Sequence, residues 1–304
     1  MPKEHKFLVG DEWRTSSETE VINNPYSGEL VSEVYQAQKK DMEDSISAAQ
    51  EAYEVTRTLP SYRRSEILYN VAQKISRRKE DLAKVMTTES GKPIKYCRTE
   101  VERAIMTFTI ASEEAKRIHG EMVPLDLASH SERRYGLVRR FPIGPISAIS
   151  PFNFPMNLVA HKVAPCIATG NTLVLKPPPQ CPTTGLTLGE IVLKAGAWPG
   201  TLNVLPCSIP VAEQLATDDR FKMLSFTGSP KVGWYLKSKA GKKKVLLELG
   251  GNAGVIIDRT ANLDVAVTRT AVGSFANAGQ ICIKVQRIYV HSDLYPDFES
   301  RFLE

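Results

Sequence analysis

Residues 146–176 read ISAISPFNFPMNLVAHKVAPCIATGNTLVLK, and their pattern decides the fold class. Ile146–Ser150 is a short apolar run of strand length that stops at Pro151. The tight loop Pro151-Phe152-Asn153-Phe154-Pro155 leads into a helical stretch, Met156–Ala168. A second apolar strand, Thr172–Lys176, follows and is ended by Pro177-Pro178-Pro179. Strand, helix and strand in that order make a βαβ unit.

The alternation continues downstream. A helix is expected over Thr184–Ala195, a strand over Leu202–Leu205, a short helix over Val211–Leu215 and a strand over Lys222–Phe226. Thr227-Gly228-Ser229-Pro230 opens a helix through Lys239, and Val245–Leu249 is the last strand of the series. Such a series predicts an α/β fold with a doubly wound, Rossmann-like parallel sheet, which binds ligands at the carboxyl ends of its strands. Upstream, Phe7–Val9 and Val21-Ile22 read as short strands around the turn cluster at residues 24–28. Helical periodicity then covers Asp41–Thr56, Ser61–Ile75, Asp81–Ser90 and Glu100–Gly120. Gly91-Lys92-Pro93 breaks that pattern and lacks the further glycine and the Ser/Thr of a phosphate loop. Between Pro124 and Pro142 the chain is charged and partly alternating, which predicts a hairpin arm. Arms of that kind pair with another subunit, because an exposed strand edge is otherwise a liability.

Composition narrows the function classes. A chain of 304 residues has room for about two domains, and 42% apolar with 24% charged residues is ordinary for a globular protein. A net charge of +5 with scattered basic residues gives nucleic-acid binding little support. The dense run Lys242-Lys243-Lys244 reads as a solvated face. No run reaches membrane-span length, and Met1–Lys6 lacks the apolar region of a secretory signal. Five cysteines without Cys-x-x-Cys spacing, and five histidines without ligand spacing, predict neither a disulfide framework nor a metal site. The expectation is a reduced, cytoplasmic, metal-free chain.

Two residues look chemical. Glu248 is the single charge in Val245-Leu246-Leu247-Glu248-Leu249, which ends on Gly250-Gly251. A carboxylate at a buried strand end is costly unless it is paired or kept neutral for proton transfer. Cys282 follows the turn Ala278-Gly279-Gln280-Ile281, just past a helix over Ala266–Ala276; a thiol so presented, as its thiolate, is a strong nucleophile. Taken alone, each has a plainer reading: a strand-end charge facing solvent, and a small core residue. Gly228-Ser229-Pro230-Lys231-Val232-Gly233 spans a strand end and a helix start, where Gly228 lets the backbone approach a phosphate, Ser229 and the helix amides donate, and Gly233 allows close packing. An ordinary capped turn fits equally. Lys176 closes its strand over the sheet's carboxyl edge, where nucleotide would lie, or is simply solvated. Asn153, held between aromatics and prolines, suits a preorganised donor or a self-satisfied turn asparagine.

Together these segments resemble the aldehyde dehydrogenase superfamily. The residues that carry the resemblance are Ser150-Pro-Phe152-Asn153-Phe-Pro, the strand from Gly170 to Lys176-Pro, Phe226-Thr-Gly228-Ser229, Glu248-Leu249-Gly-Gly, and Phe275 with Gly279-Gln280-Ile281-Cys282. The likeness runs from residues 24–28 to the last residues. It implies Cys282 as nucleophile, Asn153 as oxyanion donor with the Cys282 amide, and Glu248 as general base. It further implies that Lys176, Gly228, Ser229 and Gly233 hold NAD or NADP, with Ser150, Phe152 and Leu249 lining its path. The substrate would be a small-molecule aldehyde, and the assembly a homo-oligomer, a dimer or tetramer in the family. By the same resemblance, 1–124 is the N-terminal part of the dinucleotide-binding domain, 125–142 the oligomerisation arm, 143–250 the domain's core, and 251–304 the start of an incomplete α/β catalytic domain.

Three departures matter. Asn252-Ala253-Gly254 follows the two glycines, where the family more often has Lys, then Ser or Asn, then Pro. Pro179 stands where NAD-preferring members often carry a Glu, so a 2′-phosphate would meet no repulsion and NADP use becomes plausible. Family chains also run on well past the nucleophile, so a nucleotide-binding module without turnover is the alternative expectation. Ile281, apolar beside the thiol, disfavours an anionic group there.

Overall fold

A computed structural model describes residues 3–304; Met1 and Pro2, the start of the stretch read as lacking a secretory signal, lie outside the described residues. The chain opens with five short strands: β1 (Lys3–His5), β2 (Phe7–Val9), β3 (Glu12–Arg14), β4 (Thr19–Asn23) and β5 (Leu30–Tyr35). Four helices follow, α1 (Lys39–Thr56), α2 (Ser61–Arg77), α3 (Lys79–Ser90) and α4 (Ile94–Glu114). Next, β6 (Glu121–Pro124) and β7 (Tyr135–Val138) pair antiparallel as a two-stranded sheet of their own. The alternating series comprises β8 (Pro145–Ile149), α5 (Asn157–Ala168), β9 (Thr172–Lys176), α6 (Thr183–Lys194), β10 (Leu202–Val204), the one-turn α7 (Ile209–Ala212) and α8 (Gln214–Thr217), and β11 (Met223–Thr227). It continues through α9 (Pro230–Lys239) and β12 (Lys244–Glu248) to β13 (Ala253–Ile257), α10 (Leu263–Phe275), β14 (Val285–Val290) and α11 (Tyr295–Leu303).

The chain divides into two compact units. One holds the residues up to Thr227 together with Tyr235–Leu246; the other holds Gly228–Trp234 and Leu247–Glu304. In the first, the main sheet has the strand order β12-β11-β8-β9-β10-β2-β3. Strands β11, β8, β9 and β10 are parallel, in register through Met223↔Ile146, Ile146↔Leu173 and Leu173↔Leu202. This is the doubly wound core that the sequence predicts. The N-terminal strands extend it antiparallel, with Leu8 opposite Val204 and Trp13 opposite Leu8. Strand β2 is read correctly as a strand from sequence, but its partner is not, because period alone does not encode pairing. Phe7, Leu8 and Val9 are buried, each such side chain contributing about 1.5–3 kcal/mol.

Three local readings change. Helix α4 begins at Ile94 and ends at Glu114, not over Glu100–Gly120, because Pro93 starts a helix as readily as it stops one. Strand β12 alternates exposed and half-buried residues, and Glu248 is exposed rather than at a buried strand end. Its place at the end of the sheet's strand order explains this: strand β11 lies on one side only. The triple-lysine run is not uniformly solvated either. The Lys243 side chain is almost wholly covered, donates to the Ala240 carbonyl at 3.4 Å and pairs with Asp219 at 3.6 Å.

A buried carboxylate fastens α3 to α6. Glu89, near the end of α3, accepts the hydroxyl of Thr183 and, at 3.2 Å, its backbone N–H at the start of α6. Burial pushes its pKa from 4.5 up to about 7, against the pull of the Thr183 hydrogen bonds. The folded chain therefore binds this proton more tightly than the unfolded one. The stability it contributes is complete below about pH 4.5 and is lost as pH rises through 7, roughly 3 kcal/mol in all. Glu89→Gln presents an amide in place of the neutral acid, so urea denaturation should show less loss of stability between pH 5 and 8 than in the wild type.

The second unit is a smaller βαβ. Strands β13 and β14 pair in parallel from Ala253↔Val285 to Ile257↔Val290, with α10 as the crossover. Asn262 caps α10 by accepting the Val265 N–H at 3.1 Å. Helix α11 packs on α10 through Phe302, whose ring lies 6.2 Å from Phe275 and 5.3 Å from Phe298.

Candidate active site

In the first unit, the carboxyl edge of the sheet gathers four of the residues singled out from sequence. The Ser150 N–H donates to the Lys176 carbonyl at 3.1 Å, which carries the β8–β9 ladder to its last residues. Lys176 is half-buried there and Phe152 is exposed. The Ser150 hydroxyl is buried and has no hydrogen-bond partner among the described residues. An unmet buried hydroxyl costs about 1–3 kcal/mol, and a polar group arriving at this edge would supply the missing partner. The residues present therefore fit a nucleotide at the strand ends, as open α/β sheets are built to bind one.

Asn153 is half-buried on the loop that joins β8 to α5, and that loop is gripped by side chains which sequence reading passed over. Lys92 donates to the Asn153 carbonyl at 3.1 Å and pairs with Glu100 at 2.7 Å. Glu100 in turn accepts the N–H groups of Met156 and Asn157 at 2.9 and 3.1 Å. Its position carried a signal: Glu100 lies in the buried stripe of α4 with Cys97, Val101, Ala104 and Phe108. A second buried lysine, Lys162 on α5, donates to the hydroxyls of Ser225 at 3.0 Å and Thr227 at 2.9 Å. It too interrupts an apolar stripe, between Val159 and Val163.

The second unit holds the other candidates. Gly228 donates its N–H to the Glu248 carbonyl at 3.0 Å, so the glycine turn and the carboxylate-bearing strand end are directly tied. Ser229 stands just before α9, where its hydroxyl approaches the Val232 N–H at 3.4 Å and its carbonyl accepts the Gly233 N–H at 2.9 Å. Pro230 is the first helical residue and Gly233 is buried, as the packing argument requires. Leu249 is half-buried beside the exposed Glu248.

Behind α10 the chain turns through three successive left-handed residues, Asn277 (φ 52°), Ala278 (φ 54°) and Gly279 (φ 70°). That conformation costs an L-residue about 1–2 kcal/mol, so Ala278 is held there by its surroundings. Cys282 emerges from this turn exposed, whereas Cys97, Cys166, Cys181 and Cys207 are buried. Burial pushes the Cys207 thiol up to about 11 and those of Cys166 and Cys181 higher still. Buried thiols of that kind are poor nucleophiles; Cys282 is the accessible one.

Parallel pairing of β13 with β14 brings the strand ends after Glu248 and after Cys282 side by side. A Cβ at Gly251 would stand 2.4 Å from the Cys282 carbonyl oxygen, a backbone atom that has to move to admit it. Gly251→Ala should accordingly displace the Cys282 backbone and, on the function proposed below, lower turnover about tenfold or more. Nucleotide affinity, measured by fluorescence titration, should stay within a factor of two.

Among the described residues no helix is long and apolar enough to cross a membrane, and no group of three or more His, Cys, Asp or Glu could hold a metal ion. Comparison with known proteins places the chain. Residues 13–304 match the model of the aldehyde dehydrogenase family. A 3-sulfolactaldehyde dehydrogenase from Priestia megaterium is 41% identical over 303 residues, covering 99% of this chain and 63% of the relative. The crystal structure of aldehyde dehydrogenase 21 from Physcomitrella patens, in complex with its reaction product succinate, superposes with a TM-score of 0.97 at 43% identity. It covers 100% of this chain and 64% of that one. An NADP-dependent enzyme from E. coli superposes with a TM-score of 0.95 at 34% identity, covering 99% of this chain and 63% of its own. The chain thus spans just under two thirds of the length of the proteins it matches. With the motif residues in place on a shared fold, the chain belongs to the aldehyde dehydrogenase family.

Proposed function

We propose that this chain carries the nucleophile, base and nucleotide-holding residues of an NAD(P)-dependent oxidation of an aldehyde to a carboxylic acid. The observation that carries the reading is Cys282: it alone of the five cysteines is exposed, it follows a left-handed turn, and its own carbonyl oxygen leaves room only for glycine at position 251.

The thiolate of Cys282 adds to the aldehyde carbon and forms a C–S bond. Negative charge moves to the carbonyl oxygen, where the Asn153 amide and the Cys282 backbone N–H donate to it. Bound nicotinamide supplies the acceptor for the hydride that leaves this carbon. Departure of the hydride with its electron pair leaves Cys282 as a thioester. Glu248 then takes a proton from water as its oxygen adds to the thioester carbon. The C–S bond breaks, the thiolate is regained and the acid departs. Lys176, Ser150, Gly228, Ser229 and Gly233 orient the nucleotide, while Phe152 and Leu249 line its path. Exposed Pro179 offers no carboxylate against a 2′-phosphate, which favours testing NADP beside NAD.

The β6–β7 hairpin exposes Met122, Leu127, Tyr135 and Leu137, an apolar surface suited to a second copy of the chain in a homo-oligomer. A cytoplasmic setting suits five unpaired thiols.

The test is aldehyde-dependent reduction of NAD and NADP in parallel, with 3-sulfolactaldehyde, succinic semialdehyde and propanal as substrates. The anionic aldehydes follow from the relatives' names, and propanal from the apolar Ile281. Turnover with any of them supports the reading and assigns the cofactor. Saturable nucleotide binding that weakens in Lys176→Ala, with no turnover, would assign a nucleotide-binding module instead.

A further inference from the structure

We propose that Lys92 and Glu100 form a buried positioning pair that sets the Asn153-bearing loop, and through it the oxyanion donor. The inference rests on the reading of Asn153 given above.

Three observations lead to it. The Lys92 and Glu100 side chains are only 3% and 1% exposed, and they stand 2.7 Å apart. Burying two charges is expensive, and such a pair is weak evidence of a stabilising device. Both charges, however, have their remaining bonds on one target. Lys92 Nζ donates to the Asn153 carbonyl at 3.1 Å and lies 3.8 Å above the Phe154 ring. Glu100 Oε1 accepts the N–H groups of Met156 and Asn157, the start of α5. The segment is held at both ends, by a cation before its turn and by an anion after it.

Its other flank is already fixed. Ser150 belongs to the sheet ladder through the Lys176 carbonyl, and the Cys181 thiol lies 3.9 Å from the Phe152 carbonyl. The span left adjustable is the one the pair grips, residues 153–157. A small displacement of a preorganised donor is costly for catalysis but has little effect on binding elsewhere. Loss of the pair should therefore appear in kcat while the nucleotide, held at the strand ends, keeps its KM.

The test uses Lys92→Met, in which Glu100 keeps its two backbone partners, together with Asn153→Ala and the double variant. The expected result for Lys92→Met is a fall in kcat of about ten- to a hundredfold, with the nucleotide KM within twofold. In the Asn153→Ala background the same substitution should cost at most about twofold more, since residues acting as a unit are not additive. Full additivity would overturn the positioning role and leave the reading of Asn153 intact. An Asn153→Ala variant of undiminished kcat would instead overturn that reading. Should Lys92→Met fail to fold, Phe154→Leu removes the ring under the ammonium, keeps both charges and enters the same cycle. Hydrogen exchange gives a readout without turnover. Amide protection over 153–157 should drop in Lys92→Met while that of β8 holds, and unchanged protection there would sink the proposal.

Discussion

Cys282→Ala is expected to abolish aldehyde-dependent nicotinamide reduction, lowering turnover at least about ten-thousandfold, as removal of a covalent nucleophile does elsewhere. Nucleotide affinity should be unchanged, because no residue assigned to the nucleotide depends on this thiol. Cys282 stands apart from the other four thiols by exposure as well as by placement. Four of the five thiols are buried and three are pushed well above the usual range by that burial. None of them can replace the exposed one. Intact-mass measurement after mixing protein, nucleotide and aldehyde should show an acyl adduct on the wild type and none on Cys282→Ala. Glu248→Gln should let the same adduct accumulate, since hydrolysis and not acylation needs the base. An adduct surviving in Cys282→Ala would remove Cys282 from the mechanism.

The second large effect concerns stability. Glu100→Ala should destabilise the folded protein by about 3–5 kcal/mol, the usual consequence of taking one partner from a buried ion pair. The loss has three parts. Lys92 would keep its charge with the Asn153 carbonyl and the Phe154 ring in place of a carboxylate. The N–H groups of Met156 and Asn157 would lose their acceptor at the start of α5. A cavity would open in the buried stripe of α4. Replacing both Lys92 and Glu100 with methionine should recover part of the loss, because no uncompensated charge then remains. Urea midpoints of the two variants measure the difference; equal midpoints would mean that the charge is not the source.

Sequence and structure agree where a local pattern has a local cause. The strands Thr172–Lys176 and Lys222–Phe226, the helix opened by Pro230, and the small-residue turn before Cys282 all announce themselves within a few residues. What sequence hides depends on distance. The partner of Phe7–Val9 is not written near it, and neither is the reason for a lysine at position 92. Glu248 shows the opposite error. An apolar run implies a buried strand, yet burial depends on neighbours at both edges, and β12 has a strand on one side only. Glu100 and Lys162 could have been found: each is a charge in phase with an apolar helical stripe, the pattern that marks a buried, partnered ion.

The pairing of β2 with β10 has a consequence for biosynthesis. The Gly10 N–H meets the Asn203 side chain at 2.8 Å across 193 residues of chain. A ribosome adding about 5–20 residues per second needs roughly 10–40 s to make that partner. Through that interval Phe7, Leu8 and Val9 can pair with β3 but not with β10, so one edge of that apolar hairpin waits for its partner. Elements closed over such separations fold late and slowly. The hairpin that completes the sheet is thus made long before the strand that shelters it, the natural station for a holding chaperone.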